Sequence, residues 1–540
     1  MQKIFLALLG LSAIIFWPFN VVFAQAKDGK ALFRNISQAA GIHAEHTGIW
    51  DPHISGRGYL AIGQAWGDYD NDGWPDLFVT GNLKPNTLYR NEGDGSFSLS
   101  SFSQDLSITG LQSGGAVWAD YDNDGWQDLY LLNFGPNVLF HNEAGQGFKQ
   151  VKAGVEDKGK GTSATWGDYD GDGWLDLYVV NWSCLPECQP EDISQNQDRL
   201  YHNKGDGSFS DVSELLDLEK TLGAGFAASF FDIDNDGDSD LYVANDKLTH
   251  PIGNVLWRND GPGCGGWCWQ DISQEAKVAS KMHAMGIAVG DYDNDSFQDV
   301  FLSNMLSPMS LAKNLGNAKF QELAEQAGVM VLDRDRWAVG WGTEFFDYDN
   351  DGWLDLYIAI SGLAPGPPGL YGGSAPSMDD FHHPHADMLF HNEANGNFKL
   401  LPSSFLEANE AVSMGFAYAD YDRDGWLDFV QGNWNEGFRL YHNEALAGRG
   451  NDWLSLWLKG GEGVNLDAIG TRVKLVLSDG RELFGEVRRG SSLGASHQAP
   501  LHFGLAKSQI QTLTILWPNG HEQTLENISS NQLLTISYPK

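Results

Sequence analysis

One alternation of polar and apolar positions recurs along most of the chain. A short acidic, glycine-bearing stretch is followed at once by four apolar, β-forming positions, as at 77–80, 129–132, 177–180 and 356–359. Runs this short, rich in Val, Leu, Phe and Tyr and bounded by turn residues, predict buried strands and not helices. A second strand signal comes next, at 86–91, 137–142, 199–203, 254–259 and 388–392, each ending in Asn. A Gly-rich turn closes it, as at 92–95 and 205–207, and an aromatic opens a further segment, as at Phe209 and Phe320. Several strands per period, each closed by a turn, predict a four-stranded propeller blade.

The acidic head occurs seven times, with Asp at positions 1, 3, 5 and 9. The copies are Asp68, Asp70, Asp72, Asp76; Asp120, Asp122, Asp124, Asp128; Asp168, Asp170, Asp172, Asp176; and Asp232, Asp234, Asp236, Asp240. They continue with Asp291, Asp293, Asp295, Asp299; Asp347, Asp349, Asp351, Asp355; and Asp420, Asp422, Asp424, Asp428. The starts lie 52, 48, 64, 59, 56 and 73 residues apart, a little long for a propeller blade and far too long for a coil of a small β-helix. We therefore expect an all-β chain: a seven-bladed β-propeller over 33–447, followed by a small β-sandwich-like domain over 448–540. In the second part 453–458, 472–477 and 512–516 read as strands, with Asp479-Gly480 and Asn519-Gly520 as hairpin turns.

The aromatic-led segment follows each head except the seventh. The missing copy stands near the other end, at Phe33–Ser37 with Ala40, Gly41 and Ile42 after it. The N-terminal segment is thus expected to supply the strand that the last blade lacks, which hides two sheet edges and ties the ring. Ahead of it, Lys3, an apolar stretch to Phe19 and small residues at Ala24-Gln25-Ala26 read as a cleavable export signal over 1–26, with an uncleaved anchor as the alternative. No later segment is apolar enough to span a bilayer. A secreted, periplasmic or cell-surface location follows. Export permits disulfides. The four cysteines form two near pairs, Cys184 with Cys188 and Cys264 with Cys268, read as local disulfides, with thiol metal ligation or free thiols as alternatives.

Charge changes the picture most. Against 34 basic residues stand 72 acidic ones, a formal −38, which makes nucleic acid an improbable partner. The 20 Trp, 17 Tyr and 29 Phe argue against disorder, since they provide ample apolar surface to bury. The heads explain the acidity, because they hold 28 of the 72 acidic residues. Oxygen ligands at alternate positions of a tight turn, with Gly at position 6 in six of seven copies, form the front of a calcium loop. The backbone carbonyl of position 7 would add a ligand, leaving Trp74, Trp126, Trp174, Trp353 and Trp426 free to stand there. The EF-hand itself does not fit: position 12 of the first copy is Val79 and not Glu, and no helices flank it. The ion, calcium at up to seven per chain, belongs to a β-hairpin loop. Seven divalent ions would bring the formal charge from −38 to about −24. Ser296 replaces Gly in the fifth copy, which is expected to be the most strained.

The repeated Asp-x-Asp-x-Asp-Gly-x-x-Asp-Leu head with its Asn-x-Leu-Tyr-x-Asn tail resembles the FG-GAP (or VCBS) repeats of integrin α-subunit propellers, whose loops bind calcium. Asn465–Val473, Gly485–Ser491, Leu501–Leu505 and Leu516–Gly520 look like the ASPIC/UnbV domain. Together they resemble the bacterial cartilage-acidic-protein-like family, which implies extracellular binding or adhesion.

The remaining polar clusters give weaker signals. His382, His383 and His385 sit in a long Gly/Pro-rich insertion, and His43, His46 and His53 form a looser group. Either could be a metal site or a solvated loop. Arg488 and Arg489 could hold an anion or belong to a charged hairpin turn. Ser496-His497 are neighbours in sequence, which does not make a catalytic pair. No His-Glu-x-x-His or P-loop occurs. The leading reading is a non-catalytic calcium-dependent binder of extracellular protein or glycan, its ligand face shaped by insertions at 182–198, 246–253 and 361–386. The alternatives are an envelope polysaccharide lyase or hydrolase, and an accessory factor in a biosynthetic system.

Overall fold

The computed structural model describes residues 30–49, 59–108, 110–182, 197–222, 225–246, 253–305, 308–330, 338–362 and 383–539. The export signal, His53, His382, the pair Cys184 and Cys188, and most of the three insertions lie outside these residues. The chain is all-β. Among the described residues between Phe33 and Asn443 there are seven antiparallel sheets, six of them built of sequential strands. The first runs Gln64–Gly67, Asp76–Val79, Thr87–Asn91 and Phe97–Leu99. The sixth is enlarged to six strands, because His383–Ala386 and Glu410–Ala411 pair beside its insertion.

The first strand of each sheet packs on the first strand of the next, and that of the seventh on that of the first, so the sheets close a propeller-like ring. These inner strands are almost wholly buried, as their runs of Ala, Gly, Trp and Phe require: Gln112–Ala119, Gly161–Gly167, Gly225–Phe231 and Ala284–Gly290 have no exposed position. Each carries apolar side chains on both faces because neighbouring sheets pack on both.

The seventh sheet shows how the ring is tied. Its strands Ser413–Ala419, Asp428–Asn433 and Gly437–Asn443 are joined by Phe33–Asn35 as the fourth, in register Phe33 with Asn443 and Asn35 with Tyr441. Phe33 is 0% exposed and meets the Phe429 ring at 5.0 Å and Tyr348 at 6.2 Å.

Residues 452–537 form two further sheets. One is Leu501–Ala506, Asp452–Lys459 and Gln532–Ser537; the other is Glu482–Glu486, Arg472–Leu477, Ile510–Leu516 and Glu522–Glu526. They share an apolar core of Leu454, Leu456, Val473, Leu475, Leu513 and Ile515, continuous with Trp166 and Val117 of the ring.

The segment 489–498 leaves these sheets and enters the ring as a plug. Inner strands of a propeller have one edge turned to the central channel, with N–H groups that need acceptors. The plug supplies them. Trp66 donates to the Ser496 carbonyl (2.9 Å), Ala116 to Gly494 (3.2 Å), Trp166 to Arg489 (3.1 Å) and Ile287 to Ser492 (3.1 Å). The Thr343 amide donates to Ser492 Oγ (3.0 Å) and that of Tyr418 to His497 Nδ1 (3.1 Å). The fourth sheet is reached from just outside the plug, where Asp232 N–H faces Glu486 Oε1 (3.3 Å). Glycine is needed here: a Cβ on Gly490, whose φ is +83°, would lie 2.1 Å from the Ala164 carbonyl oxygen.

Candidate metal-binding loops

Each acidic head forms the loop between the first and second strands of its sheet, so all seven lie at one end of the ring. The carboxylates do distinct jobs. That of position 1 accepts the N–H groups of the turn: Asp68 from Asp72 (3.1 Å) and Gly73 (2.9 Å), Asp120 from Asp124 (3.0 Å) and Gly125 (2.8 Å), Asp347 from Asp351 (3.1 Å) and Gly352 (2.8 Å). That of position 9 starts the second strand and accepts the backbone N–H of the Asn ending the third, as in Asn91 to Asp76 (2.8 Å), Asn142 to Asp128 (2.7 Å) and Asn443 to Asp428 (2.7 Å). In the fifth loop Ser296 takes the glycine's place at φ +73° and still donates to Asp291 (2.8 Å). That left-handed backbone is the strain foreseen for it.

What remains after these bonds is a set of buried oxygens with no partner. They are Oδ1 of Asp122, Asp170, Asp234, Asp293 and Asp349 at position 3, Oδ1 of Asp420, and Oδ2 of Asp128 and Asp428. Burying a carboxylate oxygen without a donor is costly. Burial, and after it the neighbouring carboxylates, pushes Asp168 up to about 8. Burial drives Asp299 and Asp420 well above the usual carboxylate range, with adjacent Asp charges adding to the shift. Oxygen atoms converge in these loops; those of Asp68, Asp70 and Asp76 lie within 4.8 Å of one another. A hard dication among them would satisfy the orphaned oxygens and offset the repulsion, so the residues present fit calcium.

Several contributors carried readable signals in the sequence. The Asn that ends each third strand also clamps the preceding loop: its side-chain amide donates to the carbonyl of position 2, as in Asn142 to Tyr69 (2.8 Å), Asn203 to Tyr121 (2.8 Å) and Asn443 to Tyr348 (2.8 Å). Asn91 does the same to Tyr421 (2.9 Å), from first sheet to last loop. Position 4 reaches the other way, Asn71 to the Gly125 carbonyl (2.8 Å) and Asn350 to Gly425 (2.9 Å), with φ of +55° and +59° that Asn tolerates. The fourth loop has a fifth carboxylate, Asp238, at position 7. One residue before the terminal Asn, the third strand always carries a basic residue: Arg90, His141, His202, Arg258, Lys313, His391 and His442. Arg90 Nε donates to Asp70 (2.7 Å), and Lys313 pairs with Asp293 and Asp295.

The sheets of 452–537 reach over these loops. Asp467 accepts from the Asp120 amide (2.9 Å), Arg472 pairs with Asp232, and His502 Nε2 meets Asn350 Oδ1 (2.7 Å). The other clusters resolve differently. His43 and His46 do not assemble a metal site: the His43 amide donates to Tyr89 Oη (2.9 Å), while buried His46 has its ring nitrogens at Ala61 O (3.3 Å) and the Asn435 amide (3.4 Å). His385 Nδ1 meets the Ala386 carbonyl (2.8 Å), and His383 is exposed. Arg488 and Arg489 are part of the plug's root; Arg488 donates to the Val289 carbonyl (2.5 Å) and Arg489 Nη1 to Arg488 O (3.1 Å). Ser496 is built into the ladder with the first sheet, and His497 meets Glu344 Oε2 at 2.9 Å, where Ser491 Oγ also donates (2.6 Å). All three groups hold the plug. Cys264 and Cys268 are joined by a disulfide.

Both parts of the chain resemble known protein families. The FG-GAP-like repeat model matches residues 68–131, 120–179, 192–243, 232–302 and 291–358, and the ASPIC and UnbV model matches 461–540. Human cartilage acidic protein 1 is 24% identical over 411 residues, covering 64% of this chain and 59% of the relative. The Xenopus tropicalis protein of the same name is 26% identical over 348 residues, covering 61% and 47%. The chain thus spans about half to three fifths of the length of these relatives. Among solved structures, an Agrocybe aegerita lectin that recognises non-reducing terminal N-acetylglucosamine aligns with TM-score 0.38 at 17% identity, over 66% of this chain and 85% of its own. A Bacillus licheniformis rhamnogalacturonan lyase aligns with TM-score 0.38 at 11% identity, over 77% and 76%.

Proposed function

We propose, from the premise that this chain belongs to the FG-GAP-like repeat family, that it is an exported calcium-loaded binding module for an extracellular protein or glycan. One observation carries the calcium part: the carboxylates of the seven loops are packed together, and in six of them, the second to the seventh, a buried carboxylate oxygen is left without a donor. The 28 Asp of the heads would hold the ions, with positions 1, 3, 5 and 9 as ligands. Calcium supplies positive charge and oxygen-coordinating capacity; the chain supplies the turn amides and Asn clamps that set the carboxylates in place. An ion that binds the folded but not the unfolded loop stabilises the fold by mass action.

The binding part rests on layout. The loop end of the ring is overlaid by the C-terminal sheets and the channel is filled by the plug. The long insertions follow the second strands of the third, fourth and sixth sheets, so they spring from the opposite end. That end, with protein- or glycan-binding loops on a rigid ring, is the open surface for a ligand. Export is supported by the signal-like first 26 residues and the relatives above, and no helix among the described residues is long and apolar enough to cross a membrane.

The test is thermal unfolding and limited proteolysis in millimolar calcium and in EGTA, with bound ions counted by equilibrium dialysis. Seven ions and a melting temperature that falls on chelation are expected. No bound calcium, with an unchanged melting temperature, removes the calcium reading. Glycan arrays and matrix-protein pull-downs in both conditions test the ligand; binding that ignores calcium separates the ligand face from the loops.

A further inference from the structure

We infer that the cleft between the C-terminal strand Asp452–Lys459 and the first, second and seventh loops is a binding site for a neutral oligosaccharide. It lies at the loop end of the ring, away from the open surface described above, and is a second site.

Alternation along that strand makes the floor of the cleft. Leu454, Leu456 and Leu458 are buried in the C-terminal core. Trp453, Ser455, Trp457 and Lys459 therefore line the other face, which is turned to the ring. The two Trp stand about 13 Å apart along the strand, at roughly 3.3 Å per residue. Beside this row, paired in register, run Leu533, Thr535 and Ser537, the last two exposed. Two cavities open over the face, of about 240 and 850 Å³, and Trp457 lines both. Pro75 and Arg423 of the ring stand opposite in the first, Asn71 and Gln127 in the second. Both indoles are half-buried, and neither indole N–H has a partner among the described residues. Only the Lys459 ammonium lies over the Trp457 ring, at 4.8 Å.

Arg423 points to a ligand independently. It stands at position 4 of the seventh head, where five of the other heads carry Asn. Asn71, Asn123, Asn235, Asn294 and Asn350 each donate to a backbone carbonyl of the adjoining loop. Arg423 departs from that pattern. Its guanidinium lies on the Trp74 ring at 4.3 Å and against Gly73, where a Cβ would stand 2.7 Å from Nη2. It makes no hydrogen bond and no ion pair among the described residues. All five of its N–H donors are thus unspent at the wall of the smaller cavity.

A pyranose ring has an apolar C–H face and a rim of hydroxyls that both donate and accept. Trp457 presents a flat apolar face with an N–H at its edge, and the spacing to Trp453 sets a row for several sugar rings. Arg423 supplies donors for hydroxyl oxygens, while Glu462 and Asp467 of the larger cavity supply acceptors for hydroxyl protons. Charge selects the uncharged chain. Five carboxylates, those of Asp68, Asp120, Asp420, Glu462 and Asp467, line the two cavities against two cations, Arg423 and Lys459. An anionic glycan is repelled by that excess.

The experiment titrates the full exported chain, in millimolar calcium, with cellohexaose, mannohexaose, xylohexaose and chitohexaose by calorimetry, and with galacturonohexaose as the anionic probe. At least one neutral hexaose should bind, and galacturonohexaose at least tenfold more weakly. Trp457→Ala should weaken the neutral ligand at least tenfold and Arg423→Gln at least threefold. Arg423→Gln reads the site even where Trp457→Ala disturbs the C-terminal sheet, because the guanidinium bonds nothing in the chain. Leu83→Ala, exposed at the opposite end of the ring, should change nothing. A neutral hexaose bound equally by wild type, Trp457→Ala and Arg423→Gln is held elsewhere, which overturns this site and leaves the open surface as its place. Binding of galacturonohexaose alone, or of none of the five, overturns the inference as well. Array glycans or matrix proteins that still bind in that case belong to the open surface, so the two readings fail separately.

Discussion

Replacing Phe33 by Ala tests whether the ring is closed by its N-terminal strand. Phe33 is fully buried in the seventh sheet, within ring contact of Phe429, Tyr348 and Phe346. The strand brings little else, three residues paired to Gly437–Asn443 and backbone bonds such as Ile36 to Leu440 (2.9 Å) and Glu407 to Phe33 (3.0 Å). Truncating a buried Phe to Ala costs about 3–5 kcal/mol, transfer and cavity together. Unfolding entropy of about 2.1 cal/mol/K per residue gives roughly 0.9 kcal/mol/K for a cooperative ring of this size. Phe33→Ala should therefore lower the melting temperature by about 3–6 °C in calcium. Deleting residues 33–42, which also removes buried Ile36, Ala40 and Ile42, should at least double that shift. The assay is near-ultraviolet circular dichroism on heating, with Leu99→Ala, 66% exposed on an outer strand, as the control that should not move. A Phe33→Ala melting temperature equal to that of the control would refute the argument, because it would mean the seventh sheet holds without its fourth strand.

Three other perturbations address separate links. Burial holds His46 down at about 4 against 6.5 when unfolded, so the unfolded chain binds more protons between these values and stability falls as pH drops from about 6.5 to 4, by at most roughly 3 kcal/mol; urea midpoints of wild type and His46→Gln across that range should show the slope lost in the variant. Asn91→Ala deprives the buried Tyr421 carbonyl of its donor and should cost about 1–3 kcal/mol by denaturant titration. Gly490→Ala places a Cβ 2.1 Å from Ala164 O and strains a positive φ, so hydrogen exchange at the Trp66, Ala116, Trp166 and Ile287 amides should quicken as the plug is displaced; unchanged protection would mean the plug does not cap those amides.

Much of the architecture was legible because the repeat states it locally. The Asp heads, the apolar runs after them and the orphan segment at Phe33 each specify a piece of structure within a dozen residues. The tails were legible in type and not in role: Asn91 and Asn142 read as strand ends, and only the closed ring shows that their amides hold the loop of the preceding sheet. The basic residue before each of them was visible as Arg90, His141 or Lys313, but a strand pattern does not tell which face meets the loop. The plug was hidden for a different reason. Residues 489–498 have no hydrophobic period, and the N–H groups they satisfy become an edge only after seven sheets surround them. Arg488 and Arg489 therefore looked like a surface turn, and His46 like a ligand, because burial of each is decided by segments hundreds of residues away.

The plug's place near the end of the chain has a consequence for assembly. Synthesis from the N-terminus delivers Phe33 well before the strand at 437–443 that it pairs with, and Ser492 later still. The early strand must wait for its partner at 437–443, and the central amides stay wet until residues 489–498 have been made. Completion of the ring is thereby coupled to delivery of residues 489–498, and a chain cut short before residue 489 would leave the Trp66, Ala116, Trp166 and Ile287 amides without these acceptors.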